Sequence, residues 1–443
     1  MFSSLDDRYQ NLTNPLHPFV GEKSLMKYRL KVEIDYFIWM AKDKFDLSEN
    51  IKKDLIDLYE NFSQTDFELV KSYEIKTKHD VKALEYFLRY KLEPYNVSSK
   101  ITELIHFGLT SQDINTSAIA LQLSSLLEIN FTQQLKIINI LETLASENKD
   151  TIMMARTHGQ PAIPTTLGKE LMVFVNRFNH HLKMCKTNKC NGIATKFGGA
   201  VGNLNAHYLI DPDKDWNKDF DDFIKEMSNG NLYRVSSTTQ ILPYDYWNWI
   251  FDYLRDFHLV MKDLCQDVWL YISFNYFDQE IDKNQVGSSA MPQKINPIDF
   301  ENCEGNCDLV EMWTSFLSRK LTISRLQRDL TDSTVLRNIY QPFGYSYVAL
   351  KSLEKGLLKL KVNREVITKD LESHPTILSE AFQTILRDAG CQNPYETVRK
   401  ITQGNTLTLD DLKSNILNSY DNLTTHTIDK IKNINFNSYI GHI

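Results

Sequence analysis

The long segments of unbroken helical pattern constrain the fold of this chain more than any other feature. Residues 115–148 contain neither glycine nor proline, and their apolar side chains recur at the three- and four-residue spacing of one helix face. Residues 244–276 form a second such segment, and residues 297–321 begin with a proline, which suits a first helical position after an asparagine cap. Helices of about 25 residues or more exceed the globular norm and indicate a long bundle. Because strand signals are scarce, the sequence predicts an all-α protein.

The chain has 443 residues, which is enough for two or three domains. We expect an N-terminal helical domain over residues 1–105, a central long-helix bundle over 106–338 and a C-terminal helical domain over 339–443. No internal repeat or low-complexity linker marks these boundaries.

Composition limits the classes of partner. The formal net charge is −7, which gives no general electrostatic reason to bind nucleic acid or an anionic membrane. No apolar run approaches the length of a membrane span, and the first residues, MFSSLDDRYQ, lack the pattern of a signal peptide. The six cysteines are scattered without disulfide spacing. We therefore expect a cytoplasmic protein, in which an anionic substrate would need a local cluster of cations.

The stretch GSSAMPQKINP, residues 287–297, combines a glycine, two hydroxyls, a cation and a predicted helix start. The first turn of a helix offers unpaired N–H groups and a partial positive charge, and Lys294 adds a full one. This combination is typical of a site for a carboxylate or a developing oxyanion, in which Ser288 or Ser289 could ionise more easily than in water. The alternative is a capped surface loop.

Four further stretches could carry chemistry. In RTHGQPAIPTTLGKE, residues 156–170, His158 lies in a polar loop and could donate a proton near neutral pH. TKHDVKALEYFL, residues 77–88, and HFGLTSQDIN, residues 106–115, place polar side chains at helix starts, with Asp80 as a reasonable cap. SRLQRDLTDSTVLRN, residues 324–338, interleaves arginines and hydroxyls, which suits phosphate or carboxylate. Each pattern alone also fits a cap or a solvated loop, but their joint occurrence on one helical scaffold favours a site.

Two other stretches resemble cofactor sites only superficially. NHHLKMCKTNKC, residues 179–190, brings two histidines and two cysteines together, but not at the spacing of a metal site. KFGGAVGNLN, residues 196–205, is not a dinucleotide-binding fingerprint and follows no convincing strand. We therefore expect neither a metal site at residues 179–190 nor a dinucleotide fold around residues 196–205.

Taken together, the motifs resemble one family. GSSAMPQKINP is similar to the signature loop of the fumarase/aspartase superfamily, GSSxMPxKxNP. The flanking stretches are similar to the adenylosuccinate lyase family over nearly the whole chain: DDRY, KHDVKALEYFL, HFGLTSQDIN, RTHGQPAIPTTLGKE, GGAVGNLNAH, IDFEN, RDLTDSTVLRN and NSYIG. The resemblance implies an all-α homotetramer with active sites shared between chains and no cofactor. It also implies cleavage of adenylosuccinate to AMP and fumarate, and of the succinylated aminoimidazole carboxamide ribotide (SAICAR) to its amide (AICAR) and fumarate, in purine nucleotide biosynthesis.

The resemblance also implies roles for individual residues. Ser288 corresponds to the family's base and His158 to its proton donor. The implied substrate-binding residues are Arg8, Tyr9, Lys78, His79, Asp80, Thr110, Ser111, Gln240, Ser289, Lys294, Ile295, Asn296, Asn302, Arg328, Ser333, Thr334, Val335, Leu336 and Arg337.

Two positions depart from the family pattern. Lys78 stands where the family has asparagine or arginine, which could change a polar or phosphate contact without changing the reaction. Gln293 resembles the MPQK loop of argininosuccinate lyase, so that activity is the nearest alternative. A non-catalytic homologue and a helical binding scaffold are two further alternatives. The intact set of Ser288, Lys294 and His158 speaks against the non-catalytic homologue. The binding scaffold leaves the clustered hydroxyls and cations unexplained.

Overall fold

The computed structural model describes residues 3–42, 45, 47–280, 291 and 294–441. Eighteen α-helices lie in these residues: α1 (Gly21–Ala41), α2 (Glu49–Glu60), α3 (Gln64–Thr77), α4 (Asp80–Leu92), α5 (Ser99–Thr102), α6 (Ser111–Glu147), α7 (Leu167–Cys190), α8 (Asn205–Ile210), α9 (Trp216–Met227), α10 (Asn248–Ser273), α11 (Ile298–Leu321), α12 (Thr331–Leu336), α13 (Gln341–Leu358), α14 (Arg364–Glu372), α15 (Ser379–Asp388), α16 (Pro394–Thr402), α17 (Leu409–Leu417) and α18 (Thr425–Asn433). Short 3-10 helices are Ser4–Asp6, Asn14–Phe19, Glu93–Tyr95, Tyr244–Trp247, Pro375–Leu378 and Phe436–Ser438.

Six short strands, which form three two-stranded sheets, interrupt this helical structure: β1 (Ile152–Thr157), β2 (Gln160–Thr166), β3 (Ile193–Thr195), β4 (Leu232–Arg234), β5 (Phe277–Gln279) and β6 (Leu360–Val362). The pairs β1–β2 and β5–β6 are antiparallel, and β3–β4 is parallel. Helices therefore dominate the described residues, and the prediction of an all-α fold is confirmed.

The longest helix, α6, has 37 residues and matches the segment predicted from the sequence. It ends where Asn148 turns its side chain back, and the amide of Asn148 donates to the carbonyl of Leu144 at 2.8 Å. The backbone N–H of Gly168 then donates to the carbonyl of Asn148 at 3.0 Å. These bonds satisfy groups that a helix end leaves without partners inside the helix.

The chain forms two compact units, and each of them gathers separate stretches of sequence. Unit 1 comprises Met1–Leu135, His180–Lys262 and Asn302–Lys351, and unit 2 comprises Lys136–Asn179, Asp263–Glu301 and Ser352–Ile443. The division into three consecutive domains stays a prediction.

Unit 1 has an aromatic core between α1 and α9. The ring of Tyr36 packs on that of Phe197 with 5.5 Å between centroids, and Phe197 packs on Phe220 at 5.2 Å. The ring of Trp39 lies 5.2 Å from that of Phe223. Full burial of such a side chain contributes roughly 1.5–3 kcal/mol, so this cluster anchors α1, which carries residues of the candidate site.

Unit 2 combines the β1–β2 hairpin with the C-terminal helices. Buried apolar side chains from α15 to α18 form one cluster, to which Phe382, Leu412 and Ile431 contribute. The hairpin packs against α14 through Met154 and Leu371. This packing gives the hairpin a rigid base.

Within the described part of the chain, no helix is long and apolar enough to cross a membrane.

Candidate active site

The predicted site residues occur in both units, and each unit is described by itself. Unit 1 carries the residues from the N-terminus, from the starts of α4 and α6, and from the region around α12. Unit 2 carries His158 and the residues that precede α11. Ser288 and Ser289, like Gln293, lie outside the described residues.

In unit 1, the start of α4 contacts the start of α6. The chain turns at Lys78, whose φ of 55° is left-handed, and His79 is the N-cap of α4. The prediction that Asp80 provides this cap is therefore wrong by one position. The Nδ1 atom of His79 accepts a hydrogen bond from the N–H of Lys82 at 3.1 Å, and its Nε2 atom lies 3.4 Å from the Oγ atom of Ser111. Because Nδ1 accepts, the neutral ring carries its proton on Nε2 and can donate it to Ser111 or to a substrate.

Asp80 is held by an ion pair that the sequence did not indicate. Its carboxylate lies 2.9 Å from the guanidinium of Arg29 and accepts a hydrogen bond from the N–H of Val81 at 2.9 Å. Burial raises the pKa of Asp80, but Arg29 and the Val81 N–H outweigh burial, so that the pKa lies below its usual range. Asp80 is therefore ionised near neutral pH.

The Thr110–Ser111 segment is fixed by a buried ion pair beneath it. The carboxylate of Asp113 accepts hydrogen bonds from the N–H groups of Thr110 and Gly198, both at 2.7 Å, and from the Gly199 N–H. The ammonium of Lys196 lies 2.7 Å from the same carboxylate, and both side chains are fully buried. Burial lowers the pKa of Lys196, against the opposing effect of Asp113. This pair joins the start of α6 to the glycine-rich loop that follows β3.

A cavity of about 200 Å³ in unit 1 brings together predicted site residues from distant parts of the sequence. Asp80, Ser333, Leu336 and Arg337 all line it, and we call it the Asp80 cavity. The remaining lining residues are Gly21, Glu22, Leu25, Arg29, Glu74, Gln112, Asn115, Ile119 and Tyr340. None of these nine was predicted from the sequence to be a site residue.

The arginine-rich stretch around α12 also contacts a predicted residue. The guanidinium of Arg328 donates a hydrogen bond to the side-chain oxygen of Gln240 at 3.0 Å. Next to it, Asp332 is buried and accepts from the hydroxyl of Tyr244 at 3.3 Å and from the N–H of Ser333 at 2.7 Å. Burial raises the pKa of Asp332 above its usual range. The exposed Thr334 and the half-buried Val335 complete the predicted run.

The N-terminal motif contacts the helix that follows the signature loop. The side-chain amide of Asn302 donates to the hydroxyl of Tyr9 at 3.0 Å. Arg8, the preceding residue, is exposed. Two predicted residues that are far apart in the sequence are therefore neighbours in unit 1.

In unit 2, His158 occupies the tip of a hairpin. The sequence predicted a polar loop here, but β1 and β2 pair up to Thr157 and Gln160, so that His158 and Gly159 form a two-residue turn. Their φ values of 54° and 74° are those of a tight hairpin turn. The His158 side chain is exposed, and among the residues that the structure describes none hydrogen-bonds its ring. The turn therefore presents the imidazole outward from a rigid support.

The described end of the signature loop precedes α11. Lys294 and Ile295 are exposed, and Asn296 is half-buried. The helix begins at Ile298, one residue later than predicted, and Pro297 accepts hydrogen bonds from the N–H groups of Phe300 and Glu301 at 3.1 and 3.2 Å. Lys294 thus lies a few residues ahead of the positive end of a 24-residue helix.

Four residues of this region were not predicted from the sequence: Arg29, Asp113, Asn115 and Lys196. A signal for Arg29 was available, since it lies beside Leu30 on a helix that is otherwise largely apolar on its buried face. Nothing local marks Lys196, because its partner Asp113 is distant in the sequence. Within the described ranges, no three His, Cys, Asp or Glu side chains are grouped so that they could hold a metal ion.

Comparisons with known families cover nearly the whole chain. A family described as "Lyase" matches residues 9–311, and one described as "Adenylosuccinate lyase C-terminal" matches residues 324–440. Adenylosuccinate lyase from Dictyostelium discoideum is 44% identical over 90% of this chain and 87% of its own length. Those from Haemophilus influenzae and Escherichia coli are 40% and 37% identical and cover 92% and 93% of this chain, with 89% and 90% of their own lengths.

Solved structures support the fold. A fumarate lyase from Mesorhizobium sp. BNC1 superposes with a TM-score of 0.77 at 17% identity, covering 97% of this chain and 95% of its own. β-Carboxy-cis,cis-muconate cycloisomerase from Acinetobacter calcoaceticus sp. ADP1 superposes with a TM-score of 0.76 at 19% identity, covering 98% and 97%. The two family matches, the identity to the curated relatives and the shared fold lead to one conclusion: the chain belongs to the adenylosuccinate lyase family of the fumarase/aspartase superfamily and is an enzyme of the lyase class.

Proposed function

We propose that the enzyme eliminates fumarate from adenylosuccinate, which gives AMP, and from SAICAR, which gives AICAR. The observation that carries the proposal is the clustering of predicted residues in unit 1. His79 lies next to Ser111, and Asp80 lines one cavity with Ser333 and Arg337. The names of the relatives, together with this clustering, favour a nucleotide substrate over argininosuccinate.

The proposed reaction begins with removal of a proton from the carbon beside a carboxylate. Ser288, as the alkoxide, takes this proton, and the negative charge spreads into the carboxylate. Lys294 and the N–H groups near the start of α11 stabilise that charge as it develops, and such interactions lower the barrier because they strengthen in the transition state. The C–N bond then breaks.

His158 completes the reaction by protonating the departing nitrogen. Its place on a rigid hairpin supports this role, because a general acid must be held within hydrogen-bond reach of one atom. Arg328 and Arg337 bind the anionic groups of the substrate, and Gln240 orients Arg328.

The proposal includes a homotetramer, in the cytoplasm, whose active sites combine residues of several chains. Half-exposed large apolar side chains on the long helices support self-association, including Trp269 and Leu270 on α10 and Met312 and Phe316 on α11. The outward-facing His158 is available to a neighbouring chain. All six cysteines are free thiols, which suits a reducing compartment.

Single variants test the chemical roles. Ser288→Ala and His158→Ala should each lower kcat on adenylosuccinate by roughly a thousandfold or more, with the helical circular dichroism unchanged. His426→Ala, at an exposed histidine on α18, is the matched control and should retain wild-type turnover. Near-normal turnover of Ser288→Ala or of His158→Ala would contradict the role proposed for that residue.

Mixed oligomers test whether active sites are shared. When inactive Ser288→Ala and His158→Ala chains are unfolded, mixed in equal amounts and refolded, about a quarter of the sites should contain both native residues if these come from different chains. Activity should then rise toward about a quarter of the wild-type value. If mixed oligomers form and remain inactive, each site is built from one chain.

A further inference from the structure

The hairpin that carries His158 has a weakened backbone ladder below its tip. Pro161 lies opposite Arg156, and Pro164 lies opposite Met154. A proline has no N–H, so β2 donates no ladder hydrogen bond at either position. The pairing register also shifts between Met154 and Arg156. Backbone pairing therefore fixes the tip less firmly than in a regular hairpin, and side-chain contacts with the rest of unit 2 gain importance.

Arg156, two residues before His158, connects this hairpin to α14. Its guanidinium lies 2.9 Å from the Asp370 carboxylate, and the two side chains are 26% and 24% exposed. The guanidinium also lies over the ring of Phe274, 5.0 Å from the ring centroid. All three residues belong to unit 2. Because the planar guanidinium is contacted at its edge and on its face, its orientation is fixed about 7 Å along the strand from His158.

Asp370 is itself fixed by a buried phenol. Tyr276, which is only 2% exposed, donates a hydrogen bond from its hydroxyl to the Oδ2 atom of Asp370, the same oxygen that Arg156 contacts. Burial, together with the Asp370 carboxylate, raises the pKa of Tyr276 to about 12, so the phenol keeps its proton near neutral pH. Leu371, the next residue, packs against Met154 in the hairpin. Helix α14 therefore contacts the hairpin at one apolar and one charged point.

We propose that the ion pair between Arg156 and Asp370 positions His158 to protonate the departing nitrogen. A general acid has to lie within hydrogen-bond distance of one atom, and a displacement of about 1 Å can lower the rate about a hundredfold. The described residues form no hydrogen bond with the His158 ring, so the hairpin backbone sets its position. Arg156, Asp370 and Tyr276 are thus positioning residues that act through His158. The inference rests on the proposed function, because it takes His158 to be the general acid.

Asp370→Asn tests the ion pair, because it removes the charge and keeps the shape of the side chain. On adenylosuccinate, kcat should fall about tenfold or more, since His158 is then held less closely to the departing nitrogen. KM should change by less than about twofold, because none of the predicted substrate-binding residues lies on β1, β2 or α14. Tyr276→Phe removes only the hydroxyl that orients Asp370 and should lower kcat by about threefold. The helical circular dichroism should stay unchanged in both variants.

A double-mutant cycle with His158→Ala separates positioning from a general loss of structure. If Asp370 acts only through His158, Asp370→Asn should change the residual kcat of His158→Ala by less than about twofold. A purely structural contribution would instead lower kcat by the same factor with and without His158. Tyr276→Phe should show the same dependence on His158, so the cycle decides the matter even if Asp370→Asn fails to fold.

Asp388→Asn is the matched control, because it makes the same substitution in the same unit and also breaks an ion pair of 2.9 Å, with Lys430. Neither residue of that pair belongs to the hairpin or to α14. This variant should keep the wild-type kcat and KM. An unchanged kcat in both Asp370→Asn and Tyr276→Phe would overturn the positioning role, and so would an equal loss of kcat with and without His158.

Failure of this inference and failure of the proposed function give different results. If His158→Ala is inactive while Asp370→Asn and Tyr276→Phe keep the wild-type kcat, only the positioning role is wrong. If the wild-type enzyme does not cleave adenylosuccinate, or if His158→Ala keeps its turnover, the proposed role of His158 is wrong and the positioning role is wrong with it.

Discussion

Removing the ammonium of Lys196 should destabilise unit 1 strongly. In Lys196→Met, the Asp113 carboxylate would remain fully buried without its cation, which lies 2.7 Å away in the native structure. Breaking a buried ion pair by removing one partner typically costs about 3–5 kcal/mol. Three backbone N–H groups would still donate to Asp113, so we expect the lower end, about 3 kcal/mol. The lost bond from the Lys196 ammonium to the Gly199 carbonyl, 2.5 Å long, adds to the cost.

Urea unfolding followed by far-ultraviolet circular dichroism would measure the effect at one fixed protein concentration. The midpoint of Lys196→Met should fall well below that of Lys262→Met, which breaks an ion pair with the exposed Asp308 and should cost at most about 1 kcal/mol. The double variant Lys196→Met, Asp113→Asn removes both charges and should recover part of the loss. The KM for adenylosuccinate should also rise in Lys196→Met, since Asp113 positions Thr110. Equal midpoints for Lys196→Met and Lys262→Met would show that the buried Lys196–Asp113 pair contributes no more to stability than an exposed ion pair.

Two further predictions concern a glycine and a histidine of unit 1. An alanine at position 202 or at position 230 would adopt a positive φ, which costs about 1–2 kcal/mol at either position. In Gly202→Ala, the added Cβ would also lie 2.2 Å from the carbonyl oxygen of Thr238, whereas in Gly230→Ala no atom lies within 4 Å of the added Cβ. Gly202→Ala should therefore have a clearly lower urea midpoint than Gly230→Ala, and equal midpoints would show that the clash is relieved. Burial opposes the charged form of His106, but the Glu33 carboxylate at 3.0 Å outweighs burial and raises the pKa of His106 above its usual range. The His106–Glu33 interaction therefore stabilises the fold fully below the ordinary histidine pKa, and this stabilisation is lost as the pH rises through the raised pKa. We expect Tm to fall more between about pH 6 and pH 9 in the wild type than in Glu33→Gln. Parallel profiles of Tm against pH in the two proteins would contradict this.

The long helices could be predicted from the sequence because periodicity and the absence of glycine and proline are local properties. Residues 115–148 were predicted and α6 spans Ser111–Glu147, while residues 244–276 correspond to α10, Asn248–Ser273. The hairpin around His158 was not predicted. Its second strand contains Pro161 and Pro164, which weaken a strand signal. Its tight turn depends on a positive φ at His158, which few residues other than glycine adopt.

The candidate site was only partly predictable, since side-chain partners depend on tertiary structure. The motifs identified His79 and Ser111, but the contact between these side chains joins the starts of α4 and α6, and no local sequence pattern predicts which helix starts are neighbours. Arg29 and Lys196 form ion pairs with carboxylates that are distant in the sequence, and no spacing pattern in the sequence predicts such pairs. The functional roles of Ser288 and His158 stay predictions until the variants are measured.

An ultraviolet assay of the purified enzyme with adenylosuccinate tests the proposed reaction directly, with argininosuccinate in parallel and fumarate detected in both reactions. We expect AMP and fumarate from adenylosuccinate and no fumarate from argininosuccinate. If fumarate formed only from argininosuccinate, the proposed substrate would be wrong, and Gln293 would have predicted the substrate better than all the other motifs. A folded protein that is inactive on both would contradict the assignment of an active site.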